Sequence, residues 1–87
     1  MRIRNFWFEF DRGDKRTRAL DLQLGCGVAA VTLDDALLVI KAKVSGKEEL
    51  PPIERVTEDI KFSDLDQNHV VPNMGAMSVK GIWYPMI

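Results

Sequence analysis

Phe6, Phe8 and Phe10 alternate with Trp7 and Glu9, which is the period of a strand, and Ile3 and Trp7 fall on the face opposite the three phenylalanines. Apolar side chains on both faces predict a first strand over about 2–10 with something packed on each side. Residues 11–18 are charged almost throughout, with Gly13 able to turn, and read as an exposed loop. Leu20, Leu22 and Leu24 then alternate with Asp21 and Gln23, a second strand hairpinned to the first; Gly25-Cys26-Gly27 interrupts it and Val28–Val31 continues it. Glycines inside such a pattern signal a bulge or a close approach of another group to the backbone.

The periodicity then changes to that of a helix. Leu33, Ala36, Leu37, Ile40 and Val44 form one apolar stripe. Thr32 is a suitable N-cap, Asp35 lies three residues on, and Asp34 and Asp35 sit at the positive end of the helix dipole. Ser45-Gly46 predicts its end, with Gly46 at the left-handed position after the last turn. Leu38, Val39 and Ala42 lie largely off the stripe, so either the C-terminal segment or another chain is expected to cover them, unless they are simply exposed.

After Pro51-Pro52, Val56, Glu58, Ile60 and Phe62 alternate with the wholly polar Arg55, Thr57, Asp59 and Lys61, which predicts a third strand with one wet face, suited to a sheet edge. Ser63 with Asp66 suggests a single helical turn, residues 66–75 a loop held by Pro72 and Gly75, and residues 77–84 a last strand carrying Val79, Ile82, Trp83 and Tyr84. The expected fold is therefore a single α+β domain over 1–87, in ββαββ order, with a mostly antiparallel sheet packed on one helix.

Composition narrows the function classes. Eighty-seven residues suffice for one domain and not for two. The net charge of −1 gives no bulk attraction to nucleic acid or membrane, although residues 1–18 carry a net +3 and the remainder a net −4. No apolar run reaches the ~18 residues of a membrane span. Cys26 is the single cysteine, so no intramolecular disulfide can form, and Met1–Phe6 lack an apolar signal core; a cytoplasmic home is expected.

Each candidate chemistry has a structural alternative. Asp64, Asp66 and Asn68 have the spacing of the first three ligands of a calcium loop, but His69 stands where glycine must turn and Gly75 where a bidentate glutamate is needed; no metal is expected. His69, the only histidine, could pair with Cys26 as a thiol–imidazole nucleophile or with Asp64 or Asp66 as an acid–base pair; the alternative is that Asp66, Asn68, His69 and Asn73 form a structural loop. Gly25-x-Gly27 lacks the third glycine of a dinucleotide fingerprint, and the helix starts too late for it, so no cofactor is expected. Arg12, Lys15, Arg16 and Arg18 form the best nucleic-acid candidate, weakened by the interleaved Asp11 and Asp14. Trp83 and Tyr84 either finish the core or anchor an interface.

Three segments carry a resemblance. Leu24–Val28 leading into Asp34–Leu37, then Leu65–Val70 with Pro72–Gly75, and then Gly81–Pro85 together resemble a family of small uncharacterised bacterial proteins, over most of the chain from the second strand onward. The strand-to-helix step from Val28 to Leu37 is also similar to that of bacterial immunity-type and antitoxin-type domains. These likenesses imply no catalytic residues. Small size, a full strand–helix scaffold, the lack of a credible catalytic set and surplus apolar and charged surface point instead to a non-catalytic binding protein, such as an immunity protein or antitoxin, with a protein partner contacted through Arg12, Lys15, Arg16, Arg18, Leu38, Val39, Trp83 and Tyr84. A small enzyme or ligand-binding domain using His69, and a nucleic-acid adaptor using the basic loop, are the other readings; monomer and homodimer stand as equal alternatives.

Overall fold

The two apolar faces of the first strand translate into a sheet covered on both sides, by a helix on one and by an irregular segment on the other. A computed structural model describes residues 2–20, 22–45 and 49–85. Strands β1 (Arg4–Phe10), β2 (Cys26–Ala30), β3 (Ile53–Glu58) and β4 (Gly81–Tyr84) pair antiparallel in the order β3-β1-β2-β4. With helices α1 (Lys15–Ala19) and α2 (Leu33–Ile40), this is the expected α+β class, with α1 added between the first two strands.

The even residues of β1 face α2. Phe6, Phe8 and Phe10 form one core with Leu22, Cys26, Val28, Ala30, Ala36 and Ile40. The stripe residues Leu33, Leu37 and Val44 pack against that core, and so does Val39, which the periodicity had placed off the stripe. Thr32 caps α2 by accepting the Asp35 N–H, while the Asp35 carboxylate accepts the Val31 N–H and meets Lys80 at 3.1 Å. A π-helical turn, Lys41–Ser45, continues α2. The predicted stop at Gly46 lies outside the described residues.

A second core occupies the opposite face. Trp7, Ala29, Trp83 and Tyr84 from the sheet meet Ile60, Leu65 and Val70 from the segment that follows β3. The Trp7 and Trp83 rings stack at 5.8 Å, and the Trp83 indole N–H donates to Asn5 Oδ1 at 3.0 Å. Two glycines make room for these rings. A Cβ on Gly27 would stand 2.4 Å from the Trp83 ring, and one on Gly25, whose φ is +123°, would stand 2.6 Å from the Trp7 ring. The close approach expected from the glycines is therefore the passage of two indoles over β2.

Several sequence expectations are corrected. The loop predicted over 11–18 contains α1, because the Asp14 side chain accepts the Arg16 N–H as an N-cap, and Thr17 is buried with its hydroxyl donating to the Asp11 carbonyl. Leu20–Leu24 is not a strand: the Leu22 N–H bonds to Thr17 O and the Gly25 N–H to Leu22 O, so the chain coils and buries Leu22 alone of the three leucines. Asp21, part of that predicted strand, lies outside the described residues. Cys26 and Gly27 begin β2 instead of interrupting it. The third strand starts earlier and ends at Glu58, because Asp59 adopts φ +56° and turns the chain onto the second face. The last strand shortens to Gly81–Tyr84.

The C-terminal segment joins the sheet beside β2 and does not cover the outer side of α2. Leu38 is accordingly 65% exposed, and Ala42 is exposed. Trp83 and Tyr84, placed among the partner-binding candidates, are buried at 1% and 8%, because the second core closes around them.

Candidate functional site

The odd positions of β1 and β3 build a surface that the second core only partly covers. Glu9 faces Arg55 and Trp7 faces Thr57 across the two strands. After β3, the Ile60 N–H donates to Asn5 O and the chain crosses the sheet, anchored by Ile60, Leu65 and Val70. Between this crossing segment and the sheet lies a groove of about 450 Å³. Trp7, Thr57, Ile60, Leu65 and Val70 line it with Leu24; the sheet end contributes Glu9, Arg12 and Arg55, and the crossing segment contributes Asp64 and Asp66. The volume falls within the range of ordinary ligand pockets, but the lining is more charged than theirs usually is, since five of its eleven residues are Asp, Glu or Arg.

The charged groups around it are loosely held. Glu9 and Arg55 stand 3.9 Å apart with the Arg55 side chain 74% exposed, a pair worth little to stability. Arg12 donates from Nε to the Gln23 carbonyl at 3.0 Å. Their charges remain available to an incoming group.

The crossing segment is held by its own polar side chains. Asp66 accepts the N–H groups of Asn68 at 2.8 Å and His69 at 3.1 Å, and its other oxygen lies 3.2 Å from His69 Nδ1. The Asn68 and His69 amides, followed by the His69 ring, hold the Asp66 carboxyl below the usual carboxylate range. Asn73 donates to the His69 carbonyl at 2.9 Å, and Asp64 accepts the Lys61 N–H. The polar loop thus has the self-bonded Asx geometry weighed against a calcium site. The helical turn expected from Ser63 and Asp66 is a 3-10 turn at Phe62–Asp64, capped through Asp64. Among the described residues, no three His, Cys, Asp or Glu side chains come together as a metal site requires.

Cys26 and His69 do not meet. Cys26 belongs to the core under α2, while His69 is exposed on the segment covering the other face. Burial pushes the Cys26 thiol up to about 12, so it stays protonated and non-nucleophilic. Of the pairings considered for His69, the structure brings together the one with Asp66.

The four cations of the basic loop also separate. Arg16 is bound by Asp14 at 2.8 Å and Glu49 at 3.2 Å, and Arg12 turns to Gln23 and the groove. This leaves Lys15 and Arg18, three residues apart on α1, as a shared exposed face. Asp14, held down to about 2 chiefly by the Arg16 guanidinium, cancels much of the field that a nucleic-acid site needs.

The groove is the feature that residue-by-residue reading missed, although its signals were present. Trp7 on the reverse face of β1 and the polar set Arg55 and Thr57 on β3 are neighbours once the strands pair. Among the described residues, no helix is long and apolar enough to cross a membrane. No protein-family model matches the chain, and no curated protein or solved structure matches it. The resemblances noted in the sequence therefore rest on the segments that carry them.

Proposed function

We propose that this chain is a non-catalytic domain that binds a polypeptide partner, in the manner of an immunity protein or antitoxin, and that the partner docks at the groove beside Trp7. The observation that supports this reading is the groove's make-up: the exposed Leu24 beside a floor formed by the edges of the largely buried Trp7, Ile60, Leu65 and Val70, with charges of both signs around it. Interfaces concentrate binding energy in such a pattern, with an aromatic or aliphatic centre and polar groups at the margin. The buried, protonated Cys26 on the opposite face supplies no nucleophile to this groove.

The test uses the product of a neighbouring gene as candidate partner. Co-expression is expected to yield a complex that survives size exclusion and to protect the host where that product is harmful. Leu24→Asp and Arg55→Glu are each expected to weaken binding about tenfold or more with an unchanged circular dichroism spectrum. Variants that bind like the wild type would remove the groove from the reading. Neither a complex nor protection would remove the reading itself.

One observation favours a second reading. Asp66 Oδ2 holds His69 Nδ1 at 3.2 Å beside the groove, which is how a carboxylate orients an imidazole for general-base work. A hydrolytic activity that is lost in His69→Gln and reduced in Asp66→Asn would establish this reading instead.

A further inference from the structure

The two edges of the sheet are treated differently by the chain. On β4, the outward-facing Trp83 carbonyl accepts the Gly75 N–H at 2.7 Å, so the chain itself occupies part of that edge. On β3 the outward edge has no such cover among the described residues. At the two ends of β1, Asn5 O accepts from Ile60 N–H and the Asp11 N–H donates to Pro52 O, so the odd residues of β1 turn their backbone groups toward β3. Main-chain groups alternate in direction along an antiparallel ladder. The facing residues Arg55 and Thr57 therefore spend their N–H and C=O on β1, and those of Val56 and Glu58 point away from the sheet, while Glu54 sits at the register shift between Glu9 and Phe10 and has no register partner on β1. Among the described residues, nothing bonds to these outward groups.

We infer that the β3 edge is a strand-docking site for an extended, antiparallel segment of a partner, with basic residues opposite Glu54 and Glu58, an acidic residue opposite Arg55 and an apolar one opposite Val56. The inference rests on the reading of the chain as a polypeptide-binding domain and adds the mode of recognition. Glu54, Arg55 and Glu58 are all exposed, with Glu58 paired to Arg4 at 3.0 Å and Arg55 standing 3.9 Å from Glu9, so the edge presents a charge sequence whose two inner pairs an incoming strand would share. Opposite charges directly across two strands stabilise their pairing and like charges oppose it. Main-chain bonds would supply affinity, as in strand addition generally, and the charges would supply choice of partner. Arg55 and Thr57 also line the groove, so side chains on that face of an added strand would stand next to it.

The same charges disfavour a second copy of the chain. Antiparallel pairing of two β3 strands about Val56 would set Glu54 against Glu58 twice. A shift by one pair sets Arg55 against Arg55. A shift the other way sets Arg55 against Asp59, which has left the strand at φ +56° and is held by Arg4 at 2.8 Å. Edge charges of this kind are how proteins prevent self-pairing while leaving an edge open.

The test titrates the end-capped peptide Lys-Thr-Val-Glu-Lys, and its charge reversal Glu-Thr-Val-Lys-Glu, into the whole chain at low salt, followed by backbone NMR. The matching peptide is expected to shift and protect the Val56 and Glu58 amides and to bind about tenfold more tightly than the reversed one. Val56→Pro removes an outward N–H that β1 does not use, and is expected to abolish those shifts. Should that variant fail to fold, Glu54→Lys with Arg55→Glu carries the test, since it should reverse the peptide preference. Equal binding of both peptides, no response at Val56 and Glu58, or a dimer broken by Val56→Pro would each overturn the inference. The peptide titration involves no partner protein, so its failure leaves the complex and protection measurements to judge the broader reading separately.

Discussion

At Gly27 an added Cβ would stand 2.4 Å from the Trp83 ring, and that ring is fixed by its stack on Trp7 and its bond to Asn5. The indole has no free direction in which to yield, so a methyl group there acts as overpacking of a closed core. Gly27→Ala is expected to destabilise the fold by about 1–3 kcal/mol, read as a lowered midpoint in urea with an unchanged slope. The same change at Gly81, whose Cβ would meet nothing within 4 Å, tests a different cost, since its φ of +132° alone strains an alanine. A loss at Gly27 no larger than that of an exposed glycine would show that the indole does not hold its place. The presence of these glycines was legible in the sequence. The rings above them were not, because Trp83 lies 56 positions away along the chain and reaches Gly27 only through pairing of β2 with β4.

Helix α1 shows at the scale of an element how one side chain can outweigh a charged, turn-rich composition. Asp14 caps its first turn by accepting the Arg16 backbone N–H and also accepts from the Arg16 guanidinium at both carboxylate oxygens. These bonds hold the Asp14 carboxyl at about 2, below its ordinary 3.8. A carboxyl with a depressed folded pKa contributes stability that is fully present above its unfolded value and is lost as pH falls through the folded one. The cap is therefore expected to weaken between about pH 4 and pH 2. In an NMR titration the Arg16 amide should move across that window in the wild type and not in Asp14→Asn. An Arg16 amide that titrates identically in both would show that Asp14 does not cap α1. Helix α2 was far easier to read, because its stripe, its Thr32 cap and its acidic first turn all agree. Five residues are too short for such a stripe, which is why α1 was hidden within its loop.

At the scale of the molecule, the exposed large apolar residues among those described are Leu24, Leu38, Ile53, Phe62 and Val79, which come from five separate segments of the chain. Scattered single residues need no covering partner, and the charges on the β3 edge oppose self-pairing. The chain alone is thus expected to run as a monomer of 9.9 kDa in light scattering at micromolar concentration. A stable dimer would instead point to the uncovered outer side of α2, and Leu38→Asp should then dissociate it. By itself the sequence determined the α+β class, the two-faced β1, the capped α2 and the edge character of β3, because each follows from the period of neighbouring side chains or from a local backbone bond. Only the tertiary structure decided that the C-terminal segment enters the sheet, that Cys26 and His69 lie on opposite faces, and that Trp7, Arg55 and Leu65 share a groove. Those outcomes depend on which distant strands pair and which face the crossing segment covers, and local periodicity contains no such information.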